Sequence, residues 1–208
     1  MRKSLVALAV LVFVATEAGV AMAQQPTVEI TPTIGWRWGG GMTSIKGIRK
    51  LETDANVSYG ISIGKRLYPT AGVDIGYMHF SGDTHADLVA GGTVDGKLKR
   101  DDILLNGTWY AYKGTATAPF FTAGAGVSIF SAEHAGSNTR FAWDIGAGVR
   151  HDLSEKAGVR LQIKWMPTWV TTGTGIFCDP YYPYYCYAAG TGESYDQFET
   201  SLGLVFTP

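Results

Sequence analysis

Between Asp196 and Phe206 the chain alternates almost perfectly: Phe198, Thr200, Leu202, Leu204 and Phe206 fall on one side, and Gln197, Glu199, Ser201, Gly203 and Val205 on the other. Successive side chains of a strand point to opposite faces, so this period of two describes a strand with one apolar and one polar face. About eight segments carry the pattern. Val28, Ile30, Pro32, Ile34, Trp36 and Trp38 oppose Glu29, Thr31, Thr33, Gly35 and Arg37; Pro32 weakens the first strand locally, because proline cannot donate to a ladder. Val57 to Arg66 and Ala71 to Ser81 repeat the alternation, as do Pro119 to Phe130 and the run from Phe141 to Arg150. Leu98 to Tyr112 sets Ile103, Leu105 and Trp109 against Asn106, Thr108 and Tyr110. Val159, Leu161, Ile163, Trp165 and Trp169 face away from Arg160, Gln162, Lys164 and Thr168. The expected fold is all-β: an eight-stranded antiparallel transmembrane barrel with an apolar exterior.

Connections of unequal length support that topology. Gly39 to Asn56, Gly82 to about Lys97, a shorter stretch around Gly136-Ser137-Asn138, and Thr171 to Ser194 read as loops on one rim, with tight turns such as Leu67 to Thr70 and Asp152 to Lys156 on the other. An even strand count puts both chain ends on the short-turn side, which in such barrels faces the periplasm.

The N-terminus sets the compartment. Arg2 and Lys3, the apolar run Leu5 to Val14, and Ala21-Met22-Ala23 before Gln24 have the three parts of a cleavable secretory signal. The apolar run is too short for a spanning helix, which needs about 20 residues. We expect a leader over residues 1–23 and one barrel domain over 24–208, placed in the outer membrane of a Gram-negative bacterium. The full chain carries a formal charge of -1 and the leader takes away two bases and one acid, so there is no basic field of the kind a nucleic-acid binder needs.

Charged residues fall on the glycine-bearing faces of the strands. The inward set contains Glu29, Asp74, Asp144 and Glu199 together with Arg37, Arg66, Arg150, Arg160 and Lys164. An isolated charge in a narrow low-dielectric space costs several kcal/mol, so these groups are expected to pair. Eight strands leave an interior just wide enough for side chains, which predicts a plugged barrel; a narrow channel is the alternative. A soluble barrel with a dry core would instead put the six tryptophans inside and the charges outside. Here Trp36, Trp38, Trp109, Trp143, Trp165 and Trp169 read as outward girdles at the membrane rims.

Candidate chemistry is sparse. Cys178 and Cys186 are the only cysteines and, in an oxidising compartment, predict a disulfide at the tip of a loop that holds Tyr181-Tyr182-Pro183-Tyr184-Tyr185. Such a tyrosine-rich loop suits either surface contact or packing on the rim. His85, His134 and His151 have no metal-ligand spacing, and no cofactor is indicated. Gly124-Ala125-Gly126 and Gly146-Ala147-Gly148 lack the helix a nucleotide loop requires. His79 and Ser81 share the outward face of the third strand, with Asp101 on the next strand as a possible acid.

The opening Val28-Glu29-Ile30-Thr31-Pro32, the Gly-rich Phe121 to Val127 and Phe141 to Val149 hairpin, and the closing Leu202-Gly203-Leu204-Val205-Phe206 resemble the small outer-membrane β-barrel superfamily of OmpA/OmpX-type and opacity-type proteins. The resemblance covers nearly all of residues 24–208. It implies the architecture; for function our first expectation is a non-enzymatic surface barrel contributing to envelope integrity or to adhesion through its external loops. Its partners would be outer-membrane lipid and lipopolysaccharide, the barrel-insertion machinery acting on the last strand, and an unspecified extracellular ligand. The His79-x-Ser81 spacing separately resembles outer-membrane lipid A deacylases, in which a histidine serves as base to a serine; that is the enzymatic alternative.

Overall fold

A computed structural model describes residues 27–45, 48–111, 116–132, 135–170, 175–178, 186–188 and 193–208. The expected leader, His134 and the tyrosine-rich residues 181–185 lie outside the described residues. Eight strands form the wall: β1 (Thr27–Gly39), β4 (Asn56–Tyr68), β5 (Ala71–Leu88), β6 (Thr93–Tyr110), β7 (Thr117–Ala132), β8 (Ala135–Asp152), β9 (Ala157–Val170) and β12 (Glu193–Phe206). Each pairs antiparallel with its neighbour in sequence, and β1 pairs with β12, which closes the ring. Closure leaves the wall no free edge within the ring. Pro32 sits where the β1–β12 pairing lapses without a change of register, between Ile30↔Phe206 and Thr33↔Gly203, while the ladder to β4 runs on through Pro32↔Ile61. The missing N–H is thus confined to one side of the strand.

Exposure alternates as the pattern requires. Leu105 is 64% exposed and Ile75 54%, whereas their inward neighbours Leu104 and Asn106 are each 4% exposed. The outward aromatics lie against one another across strands: Trp143 and Trp165 meet edge-on with centroids 5.1 Å apart, and Trp38 stacks on Phe198 at 6.2 Å. Among the described residues there is no helix.

Several strands run further than the alternation predicts. β5 continues to Leu88 and β6 starts at Thr93, so most of the expected loop from Gly82 to Lys97 is a long hairpin above the apolar belt. Its turn is tight because Gly91 and Gly92 take φ of 90° and 103°, and the Leu88 amide donates to the Gly92 carbonyl at 2.9 Å. β8 likewise starts at Ala135, ahead of the expected loop at Gly136. Within the stretch expected as the first loop, β2 (Met42–Ile45) and β3 (Ile48–Thr53) form a hairpin whose second strand pairs with the upper part of β5. The expected irregular stretch Thr171 to Ser194 contains a second small sheet of β10 (Gly175–Cys178) and β11 (Cys186–Ala188). Beyond the membrane neither face of a strand needs to be apolar, and the alternation that marks the wall fades.

Candidate functional site

The interior is organised as layers of charge. In the upper half, β1 presents Arg37, β6 presents Arg100 and Asp102, and β12 presents Gln197 and Glu199. The Arg37 guanidinium donates from Nε and Nη2 to Glu199 Oε2 at 2.9 and 2.7 Å, and from Nη1 to Asp102 Oδ2 at 2.7 Å. Arg100 donates to Asp102 Oδ1 at 2.7 Å, to Gln197 Oε1 at 2.9 Å and to Ser128 Oγ at 2.9 Å. Ser58 donates to Glu199 at 2.8 Å, and Ser128 to Asp102. These charged groups are all essentially inaccessible to solvent. A planar guanidinium with several fixed donors suits this task better than an ammonium, since it can bridge two carboxylates at once. Phe80 lies under Arg37 and Phe130 under Arg100, at 5.4 and 5.2 Å from the ring centroids. Buried Leu51, Leu98 and Tyr195 lie at the same end; the Tyr195 hydroxyl bonds Thr53 Oγ1 at 2.8 Å, and its ring meets Phe130 edge-on.

The lower layer is built around Glu29. Arg150 Nη1 contacts both Glu29 oxygens at 2.9 Å, its Nε donates to Asp152 at 2.6 Å, and Arg66 approaches Glu29 at 3.2 Å. Tyr110 is shared by Arg66 and Arg150, and Phe120 underlies Arg160 at 4.3 Å. Between the layers, Lys164 donates to Asp144 at 2.7 Å and Asn106 to Asp74 at 2.9 Å, with Arg160 4.0 Å from Asp74. The space left there amounts to cavities of about 40 Å³ and about 20 Å³ that share Thr31, Ser62, Asp74 and Arg160. A wider hollow of about 330 Å³ opens at the lower mouth beside Glu29, Arg66, Arg150 and Asp152. Asn106 Oδ1, Arg160 Nε and Gln162 Oε1 are buried without a protein partner beside the larger inner cavity, an arrangement suited to ordered water.

Each of the nine residues expected in the interior makes one of these contacts. Arg100 and Asp102, absent from the expected inward set, join the largest cluster. Running the parity of Asn106 and Thr108 back along β6 through Leu104 places both of them inside, so the signal was present. Inward glycines provide the room: a Cβ on Gly146 would stand 2.8 Å from Lys164 Cγ, and one on Gly148 would meet the Leu161 carbonyl and the Phe120 ring.

On the outside, Asp101 stands beside His79, its Oδ1 lying 2.7 Å from the ring Nδ1 and accepting from the Tyr77 hydroxyl at 2.7 Å. The His79 ring tilts against Tyr59 at 5.1 Å. Ser81 follows on the same face, and no hydrogen bond joins its hydroxyl to the ring among the described residues. His151 bonds Thr117 at the lower rim, whereas His85 lies between two carboxylates on the hairpin. Cys178 and Cys186 occupy directly opposed backbone positions in β10 and β11. Their side chains lie outside the described residues. Among those residues no group of His, Cys, Asp and Glu has the arrangement of a metal site.

The family model of the outer membrane protein beta-barrel domain matches residues 6–206. No curated protein matches the chain in sequence. The crystal structure of Neisserial surface protein A matches with a TM-score of 0.58 at 13% identity, over 89% of this chain and 100% of that one. That of the outer membrane protein OprG from Pseudomonas aeruginosa matches with a TM-score of 0.59, also at 13% identity, over 89% and 98% of the two chains. At such identity the likeness is one of fold.

Proposed function

The chain belongs to the outer membrane protein beta-barrel domain family and resides in the outer membrane, and from that premise we propose that it is a closed, non-enzymatic surface barrel. In this reading it contributes to envelope integrity and holds the extensions above the membrane ready for contact with the surroundings. One observation carries the proposal: the buried cluster of Arg37, Asp102, Glu199 and Arg100, backed by Phe80 and Phe130, occupies the upper lumen. Inner cavities of about 40 and 20 Å³ hold no more than a few waters, since one water needs roughly 10–15 Å³ on this measure. An ion would have to break several charge-assisted bonds to pass. In planar bilayers the refolded protein is expected to give no conductance steps, and cells lacking it are expected to become more sensitive to detergent. Regular single-channel steps would refute the closed lumen; unaltered detergent sensitivity would refute the envelope role.

The same reading includes export by a leader cleaved before Gln24, a Cys178–Cys186 disulfide, recognition of β12 by the insertion machinery, and contact with lipopolysaccharide around the belt. N-terminal sequencing of the membrane form tests the first, with Gln24 as the expected first residue.

A second reading rests on Asp101 at 2.7 Å from His79, with Ser81 on the same face near the outer rim. In a hydrolase of lipid A esters, Asp101 would orient the imidazole and His79 would accept the Ser81 proton as Ser81 Oγ attacks the ester carbonyl; His79 would return that proton to the departing alkoxide, and water would then cleave the acyl-serine. Mass spectrometry of lipid A from cells expressing the protein or Ser81→Ala separates the readings. Acylation that differs between the two supports the hydrolase, and identical acylation removes it.

A further inference from the structure

His85 projects from the outward face of β5, eight residues beyond Tyr77, the last apolar residue on that face of the strand. At about 3.3 Å per residue and a typical tilt, that is roughly 20 Å above the belt. Its two ring nitrogens face two carboxylates on different segments: Nδ1 lies 2.6 Å from Asp95 on β6, and Nε2 lies 3.3 Å from Asp54 in the link between β3 and β4. A neutral imidazole has a single N–H and can satisfy one of these partners, leaving the other nitrogen's lone pair against a carboxylate. Only the imidazolium donates to both.

We propose that His85 is a proton-operated clasp, tying the end of the β2–β3 hairpin to the long β5–β6 hairpin while its ring is an imidazolium and releasing it when the ring is neutral. The segment it holds is short. β3 pairs with β5 only over Ile48 to Thr53, and one further main-chain bond, from the Asp54 amide to the Asp83 carbonyl at 2.8 Å, secures the link. The surrounding charges favour the protonated form. Glu52 is the cross-strand neighbour of His85 on β3 and pairs with Lys50 at 2.7 Å; Asp83 and Asp87 flank it on β5, and on β6 Lys97 stands two residues from Asp95. Hydrogen bonding to Asp95, and then to Asp54, raises the affinity of the ring for its proton above the ordinary histidine value. A group raised in this way contributes fully below its unfolded midpoint and loses its contribution as pH rises through the raised one. The hairpin is therefore tied in mildly acidic surroundings and freed in alkaline ones.

The test uses the refolded full barrel in lipid nanodiscs. Ring NMR, assigned against His85→Gln, is expected to place the His85 midpoint above the ordinary histidine value, and Asp95→Asn to lower it. Hydrogen exchange of the β3 amides, normalised to intrinsic rates, is expected to lose protection by roughly two- to fivefold between about pH 5.5 and about pH 9 in the wild type and to stay level in His85→Gln. The variant's heat-shifted migration checks that the barrel is intact. A His85 midpoint at or below the ordinary value, or an equal loss of protection in His85→Gln, would overturn the clasp.

Discussion

Replacing Arg37 by Met removes the cation that bridges two buried carboxylates. Glu199 loses both guanidinium bonds, at 2.9 and 2.7 Å, and keeps only the Ser58 hydroxyl. Asp102 loses one bond and keeps Arg100 and Ser128. The damage is thus concentrated on a carboxylate that is 1% exposed. Removing one partner of a buried pair costs about 3–5 kcal/mol, because the remaining charge is left uncompensated. Neutralising that charge should recover most of the loss, so Arg37→Met combined with Glu199→Gln is expected within about 1–2 kcal/mol of wild type. Reversible urea unfolding from lipid vesicles, followed by tryptophan emission, measures each variant. An Arg37→Met cost below about 1 kcal/mol, or a double variant as unstable as the single one, would refute the view that this cluster is a closed ion network.

Further outcomes follow from the same geometry. Gly148→Ala drives a Cβ into the Leu161 carbonyl and the Phe120 ring and should cost roughly 1–3 kcal/mol, whereas at Gly76 the nearest atom is 3.6 Å away and alanine should be tolerated; comparing the two unfolding midpoints tests this. Because Arg37, Asp102 and Glu199 are shielded from solvent, the unfolding midpoint should change little between about 0.05 M and about 1 M salt, and a large fall would place the dominant ion pairs at the surface. Alkylation of the unfolded protein without reductant should leave Cys178 and Cys186 unmodified, and labelling of both would exclude the disulfide.

Period-two alternation located the eight wall strands because each of them must present apolar groups to lipid and polar groups to the lumen. It failed where that demand ends. From His79 to Asp87 the outward positions of β5 are polar, so nothing in the hydropathy distinguishes a strand from a loop, and the hairpin to Leu88 was legible only through the Gly91-Gly92 turn. Parity says which side of the wall a residue faces and nothing of its height or its partner. Glu29 and Arg150 meet although 121 positions separate them, and Arg37 and Glu199 although 162 do; both pairings depend on barrel stagger, which only the three-dimensional register supplies. Asp101 beside His79 was foreseeable as a cross-strand neighbour once the β5–β6 hairpin was in register, as His79↔Asp101 shows. The clasp at His85 was not, since Asp54 reaches it from a segment read as loop.

The barrel is inverted relative to a soluble one, with apolar side chains on its outer face and paired charge inside. Methyl NMR of the protein in nanodiscs containing a lipid-soluble spin label tests it most directly. The outward methyls of Ile63, Ile75, Leu105 and Leu161 should broaden strongly, and those of Leu104, Met166 and Val205 should stay sharp. Strong broadening of the second group with sparing of the first would contradict that arrangement.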